Sequence, residues 1–241
     1  MISFRPPRQD APELDLCPLL RAAQLTLEYA NAHDGIDLTK GKAFKRVFVE
    51  WAAEHFRWPG MGHEELFRYN KVLNEIDFPP LEVTHVLLKA MDLGRHYKGR
   101  FIVTKHGLTL ATDRGDLFSE LIPFYLFRMD HSSYSRIGNL PMGNWDIWLN
   151  VINVEADHGA AEKHLFKAVY GYEANWTNAN WREAAGFAAC VLTPLEWAGF
   201  LDCISVSGKD GFTEHHYVKT QLWRRVLELD TDYLLKPILQ H

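Results

Sequence analysis

Cysteine is scarce: three in 241 residues, with no C-x-x-C pair. Cys17, Cys190 and Cys203 cannot build a dense disulfide framework, so the thiols are expected to be packed or incidental in a reducing compartment. Long apolar runs are missing too. The stretch at residues 187–192 is brief, whereas a membrane span needs roughly 20 apolar residues. The first ten residues contain no apolar h-region and no cleavage site, so secretion has no support and a cytoplasmic location is expected. The sequon at Asn175 is then a chance match. Net positive charge is also absent. The formal charge of -5 excludes a histone-like polyanion binder but leaves room for a local basic face. Glycine-rich phosphate loops are not found. Gly60 and Gly62 are followed by Glu65 where a dinucleotide fingerprint needs glycine, and Lys40-Gly41-Lys42 lacks the upstream glycine spacing. No cofactor is implied.

What is present fits a folded chain. Apolar residues make up 47% and charged residues 24%, which argues against wholesale disorder, and eight tryptophans point to an aromatic core. Residues 1–16 read as a flexible N-terminal arm. Residues 17–131 read as an N-terminal region, 132–144 as a Ser/Gly/Asn/Pro-containing linker, and 145–241 as a C-terminal unit. Helical spacing of Leu19, Leu20, Ala23, Leu27 and Ala30 predicts a first helix that stops at Asp34-Gly35. Phe44, Val47, Phe48, Trp51, Ala52 and Phe56 predict an apolar stripe on a second, and residues 63–77 a third. Val83, Val86, Leu87, Ala90 and Met91 mark the helix before Gly94, and residues 100–105 a strand leading to a turn at His106-Gly107. Asp113 and Asn178 are placed to cap later helices, residues 181–190 and 222–229 read as helical, and a hairpin is expected around residues 207–211.

One phrase recurs: an apolar helix, a short turn, then a strand bearing Thr and Lys. It is clearest over residues 82–107, partial at 36–41 after the first helix, and looser from Pro194 to Thr220. The strand with Phe101, Val103, Thr104 and Gly107 resembles the wing of winged-helix proteins, particularly MarR-like and PadR-like regulators. The resemblance covers about forty residues and implies a three-helix core with a β-wing, often serving DNA or protein binding. Mainly α structure with small β-ribbons, in tandem winged-helix-like units, is the expected fold. The helix before the wing departs from the family's habit. It offers Thr84, His85 and Lys89 offset by Glu82 and Asp92, a poor set for reading base edges.

Basic runs carry the functional expectation. Arg95, Lys98, Arg100 and Lys105 form one acid-free run, with His96 and His106 among them; Lys40, Lys42, Lys45 and Arg46 form another. Cations of this kind bind phosphates without reading sequence, although exposed strand edges also carry them simply as guards. Catalytic signatures are weak. His63-Glu64-Glu65 begins like a zinc-protease motif, but Phe67 stands where the second histidine belongs. Glu155, Asp157, His158, Glu162 and His164 are the best metal-like cluster, interrupted by Gly159, and His215-His216 point to opposite faces of a strand. The segment with Arg128, Asp130, His131, Tyr134 and Arg136 is the densest polar-aromatic stretch and reads first as an interdomain contact; its Asp130-His131-Ser132 is too compact for a triad. No catalytic or metal residue is assigned. A non-enzymatic protein of DNA-linked regulation, such as transcription, or of replication is therefore expected, holding DNA phosphates through basic wings. The alternative is a module for protein partners or self-association, and the third is a metal-dependent enzyme built on Glu155, His158 and Glu162.

Overall fold

The computed structural model describes residues 2–134, 141–173, 180–207 and 213–235. Residues 135–140 of the expected linker, Arg136 among them, lie outside these residues, as do Asn175, Asn178 and the tip of the expected hairpin. Helix makes up 56% and strand 15%, an α+β composition. Two compact units divide the chain: residues 6–125, and residues 2–5 with the described residues from Leu126 onward.

The stretch read as a loose arm carries structure. Strand β1 (Ser3–Phe4) pairs antiparallel with Leu227 and Glu228, and Ser3 Oγ donates to Glu228 at 2.7 Å. A 3-10 turn at Pro12–Leu16 and helix α1 (Pro18–Ala32) follow. Proline in the first turn of each is tolerated because its missing N–H has no intrahelical partner there anyway. Leu19, Leu20, Ala23, Leu27 and Ala30 of α1 are all buried, as their spacing predicts.

The chain then turns through Asp34 and Gly35, both left-handed, into β2 (Ile36–Asp37). Next come α2 (Arg46–His55), α3 (His63–Tyr69), a 3-10 turn at Glu75–Asp77 and α4 (Pro79–Ala90). The ribbon β3 (Gly94–Tyr97) and β4 (Arg100–Val103) leads to α5 (Lys105–Leu110) and α6 (Arg114–Arg128). The three strands form a sheet in the order β2-β4-β3, with Phe101 opposite Ile36 on one side and His96 on the other.

The second unit runs α7 (Trp145–Glu155), β5 (Ala160–Ala161), α8 (Glu162–Tyr170) and α9 (Trp181–Phe187). A π-helical turn at Ala188–Leu192 joins α9 to α10 (Thr193–Trp197). Then come β6 (Leu201–Ser207), β7 (Thr213–Lys219), α11 (Gln221–Val226) and β8 (Leu227–Glu228). Its sheet has the order β5-β7-β6, so in both units the last strand of the ribbon is the central one.

Hydrogen bonds repeat along with topology. In the first unit Leu93 N–H donates to Leu88 O, Thr104 N–H to Leu93 O, and Thr104 Oγ1 to Asp92 O. In the second Phe200 N–H donates to Leu195 O, Thr220 N–H to Phe200 O, and Thr220 Oγ1 to Gly199 O. Asp92 and Gly199 both adopt left-handed φ, and each threonine caps the helix that follows. The repeat read from residues 82–107 and 194–220 is therefore one local design used twice. The partial copy at residues 36–41 is different: Ile36 and Asp37 supply an edge strand to the first copy's own sheet. Replacing Thr220, whose Oγ1 is buried and both donates and accepts, by valine is expected to destabilise by about 1–2 kcal/mol, measured by urea unfolding.

Several local expectations are corrected. His106 and Gly107 sit inside α5, because Thr104 caps that helix one residue upstream of Lys105. Val47 and Val86 are exposed, at 74% and 38%, so the apolar stripes of α2 and α4 are narrower than their composition suggests. Residues 63–77 break after Tyr69, and α11 stops at Val226, where the chain extends to meet β1.

Candidate nucleic-acid interface

Lys98 and Gly99, with φ of 46° and 76°, make the tight reversal between β3 and β4. At this tip Tyr97 is half exposed, with Arg95 Cζ 5.7 Å and Lys98 Nζ 5.2 Å from its ring centroid. The β2–α2 connection lies alongside: Leu38 N–H donates to Gly99 O at 2.8 Å. Thr39 closes that connection through bonds with Lys42 and Ala43. Lys40, Lys42, Arg95, Lys98 and Lys105 are exposed and have no ion-pair partner among the described residues.

The other expected phosphate contacts are committed elsewhere. Lys45 lies 3.1 Å and Arg100 3.2 Å from the two oxygens of Asp37, and Arg100 also donates to the carbonyls of His33 and Gly35. Hydrogen bonding from Lys45 leads the effects that hold the exposed Asp37 carboxyl below its usual range. Arg46 Nε donates to Asn74 Oδ1 at 3.3 Å. Arg100 thus fastens β4 to β2, Lys45 ties the start of α2 to β2, and Arg46 ties α2 to the cap of the 3-10 turn.

Beneath the ribbon lies a polar chain that the sequence pattern does not reveal. Asn74 and Asp77 form a reciprocal capping box that sets the 3-10 turn holding Glu75. Glu75 is 5% exposed; one oxygen accepts Phe44 N–H at 2.6 Å and the other meets His85 Nδ1 at 2.6 Å. His85 Nε2 lies 2.8 Å from His96 Nε2. Phe44 stacks on the His85 ring at 3.9 Å, and Phe101 meets it edge-on. Burial, followed by the charges of Lys89, His85 and Lys42, pushes His96 down to about 4, with Glu75 opposing. Burial leads the effects that raise Glu82, further along α4, and Glu75 adds to it. Three separate elements bring Glu75, His85 and His96 together, so no fixed spacing announces them. Two histidines flanking Gly94, with an acid upstream of Pro79-Pro80, were the available signal.

The second unit is chemically different. Lys219 has a side chain 1% exposed and donates to Asn153 O at 2.6 Å, Asn153 Oδ1 at 3.1 Å and Asp157 at 3.0 Å. Trp223 Nε1 donates to the same Asn153 Oδ1, while Asn153 Nδ2 donates to Thr231 and Asp232. Burial works against the Asp157 carboxylate; Lys219's hydrogen bond and charge, with Arg224, outweigh it and hold the group below its usual range. Burial raises Glu162, Glu196 and Asp202.

The metal-like residues do not converge. Glu155 pairs with His164 at 2.6 Å, Asp157 belongs to Lys219, and His158 has a side chain 93% exposed. Among the described residues no group of three or more His, Cys, Asp or Glu side chains could hold a metal. His131 meets Trp145 edge-on, and Asp130 accepts from Ser132, the leading influence that lowers its carboxyl. Cys17 and Cys190 are buried, and burial pushes Cys17 up to about 12. No helix among the described residues is long and apolar enough to cross a membrane.

No solved structure matches the chain. A family model for the Y4jL N-terminal domain matches residues 15–116, and one for the y4jL C-terminal domain matches residues 135–221, on either side of the division between the two units. The chain is 35% identical over 188 residues to the "Uncharacterized protein y4jL" of Sinorhizobium fredii, an alignment covering 73% of this chain and 85% of that one. By both measures, the chain belongs to the Y4jL family.

Proposed function

We propose that the chain is a tandem winged-helix-like protein whose first unit holds DNA through backbone phosphates. The observation carrying this reading is the ribbon tip: Arg95 and Lys98 flank the exposed Tyr97 ring, Lys40 and Lys42 lie on the loop tied to Gly99, and none of these four cations has an ion-pair partner among the described residues. Mobile ammonium and guanidinium groups bind phosphates well, and binding should therefore weaken steeply with salt. The helix order with the central last strand supports the winged-helix assignment. Helix α4 exposes Val86, Lys89 and Ala90 and half-exposes Glu82, so it adds little base-specific reading. Sequence-independent or weakly selective retention follows, suited to a role in DNA-linked regulation or replication. Double reversal, Arg95→Glu with Lys98→Glu, is expected to weaken duplex binding at least about tenfold near 0.1 M salt and to flatten its salt dependence by about two charges. Unaltered binding with the same slope, measured by fluorescence anisotropy, would remove the proposal.

A second reading applies to the other ribbon. Ile204 and Val206 on the edge strand β6 are 52% and 47% exposed, on the same face as Asp202. Their cross-strand neighbours are His216 and Glu214. An apolar, acidic ribbon suits a protein partner or a second copy better than phosphate. Sedimentation of the pure chain tests self-association, which Ile204→Lys should abolish.

A further inference from the structure

We propose that the free edge of β6 pairs antiparallel with β6 of a second copy of this chain, with Ser205 at the two-fold axis. The inference rests on the reading of the second ribbon as a protein-binding surface and names its occupant. Backbone geometry decides what the edge can take. Phe200 O accepts Thr220 N–H, and the register continues unbroken from Leu201 opposite Lys219 to Ser207 opposite Thr213. Bonded and non-bonded pairs alternate in an antiparallel ladder, so Asp202, Ile204 and Val206 direct their backbone groups at β7. Cys203, Ser205 and Ser207 direct theirs the other way. Strand β6 ends its sheet, so those N–H and C=O groups face no strand, and Ile204 to Ser207 are all exposed. A row of alternating donors and acceptors is matched best by another extended strand. The usual devices that refuse one are missing: residues 203–207 hold no charge, no proline and no bulge.

Self-complementarity selects a second copy as that strand. With Ser205 opposite Ser205 of the second copy, Cys203 lies opposite Ser207, and the outward backbone groups of all three meet in bonded pairs. Ile204 then lies opposite Val206 of the second copy, and Val206 opposite its Ile204. These are non-bonded pairs, in which side chains approach most closely. The half-exposed apolar side chains of each strand thereby cover those of the other. Asp202 falls outside the paired stretch. Moving the axis to Ile204 would set Asp202 against Val206, and moving it to Cys203 would set Asp202 against Ile204. Either shift desolvates a carboxylate beside an apolar side chain. An axis at Val206 would leave Ile204 with no apolar residue opposite. Glu214 of β7, opposite Val206, is paired with Lys163 and His216, so its charge is answered within one copy. The contact is isologous and closes at two copies.

Sedimentation of the full chain over a concentration series should show a monomer–dimer equilibrium. Ser205→Pro removes an N–H that bonds nothing in β7, so the ribbon keeps its own ladder. The Ser205 bonds across the axis are lost, and the dimer is expected to weaken about tenfold or more. Ser205→Ala keeps that N–H and should dimerise within about twofold of wild type. Cross-linking in a Cys203→Ser background reads the register. Ile204→Cys mixed with Val206→Cys should give a disulfide-linked pair on mild oxidation, because non-bonded partners lie about 4.5 Å apart at Cα. Ile204→Cys alone should not cross-link. A dimer lost in Ile204→Lys but intact in Ser205→Pro would overturn the edge pairing while leaving self-association standing. Cross-linking of Ile204→Cys to itself would overturn the register. A monomer at every concentration would overturn self-association and the edge pairing together.

Discussion

Lys219→Met is expected to destabilise the second unit by about 3 kcal/mol or more at neutral pH. Methionine keeps most of the volume, so the effect isolates the ammonium. Without it, the Asp157 carboxylate loses its 3.0 Å partner, and the Asn153 carbonyl loses a 2.6 Å donor in a buried setting. Asn153 also anchors Trp223, Thr231 and Asp232, so strain should spread to the chain that follows α11. The pH dependence has a definite sign. Asp157 is depressed in the folded state, so its contribution is full above the unfolded carboxylate value of about 4 and fades as pH falls through the folded one. In the variant the same carboxyl is half-shielded without its main cation, and protonation relieves it. The deficit should therefore shrink as pH falls from 7 toward about 4, and the double variant Lys219→Met, Asp157→Asn should recover part of it. A loss below about 0.5 kcal/mol in urea unfolding would mean that the buried ammonium is dispensable.

Gly107→Ala should destabilise the first unit by about 3 kcal/mol, against the trend for helices. Alanine in a helix interior ordinarily gains up to about 1 kcal/mol over glycine. Here an added Cβ would lie 2.1 Å from Leu93 O and 2.9 Å from the side chain of Val103. The carbonyl cannot move freely, because it accepts Thr104 N–H and lies at the start of the ribbon. Gly107 also donates to Thr104 Oγ1, so the clash would disturb the cap as well. Thermal unfolding decides the sign: a stabilised variant would show that α5 can shift away from the ribbon. In the second unit Trp223 stands three residues after the capping Thr220, as Gly107 stands after Thr104. The close approach is thus peculiar to the first copy.

Elements with a local cause were legible in the sequence. The α1 stripe, the stop at Asp34-Gly35, Asp113 as a capping side chain and the threonine at the end of each ribbon follow from neighbours a few residues away. The helix of residues 181–190 was visible as an apolar run, but its π-helical turn was not. Basic runs were visible too, though their division was hidden. Arg100 reaches Asp37 because β2 lies beside β4, a pairing across more than sixty residues, and meets Lys45 there, which the short β2–α2 connection returns to the same carboxylate. Lys40, Lys42, Arg95 and Lys98 stay open because their loop and ribbon tip project beyond that pairing.

By itself, the order of residues determined the repeated helix-to-ribbon unit, the mixed α and β composition, and the stock of cations and histidines available. These depend on side-chain periodicity and backbone capping, which act over one or two turns of chain. Tertiary structure alone decided which cations are spent on Asp37 and which carboxylate meets which imidazole. It also decided that Lys219 is buried against Asp157 while Lys98 faces solvent. Charge and hydrogen-bond energies depend on distance and desolvation, and both are set only when segments remote in sequence pack together.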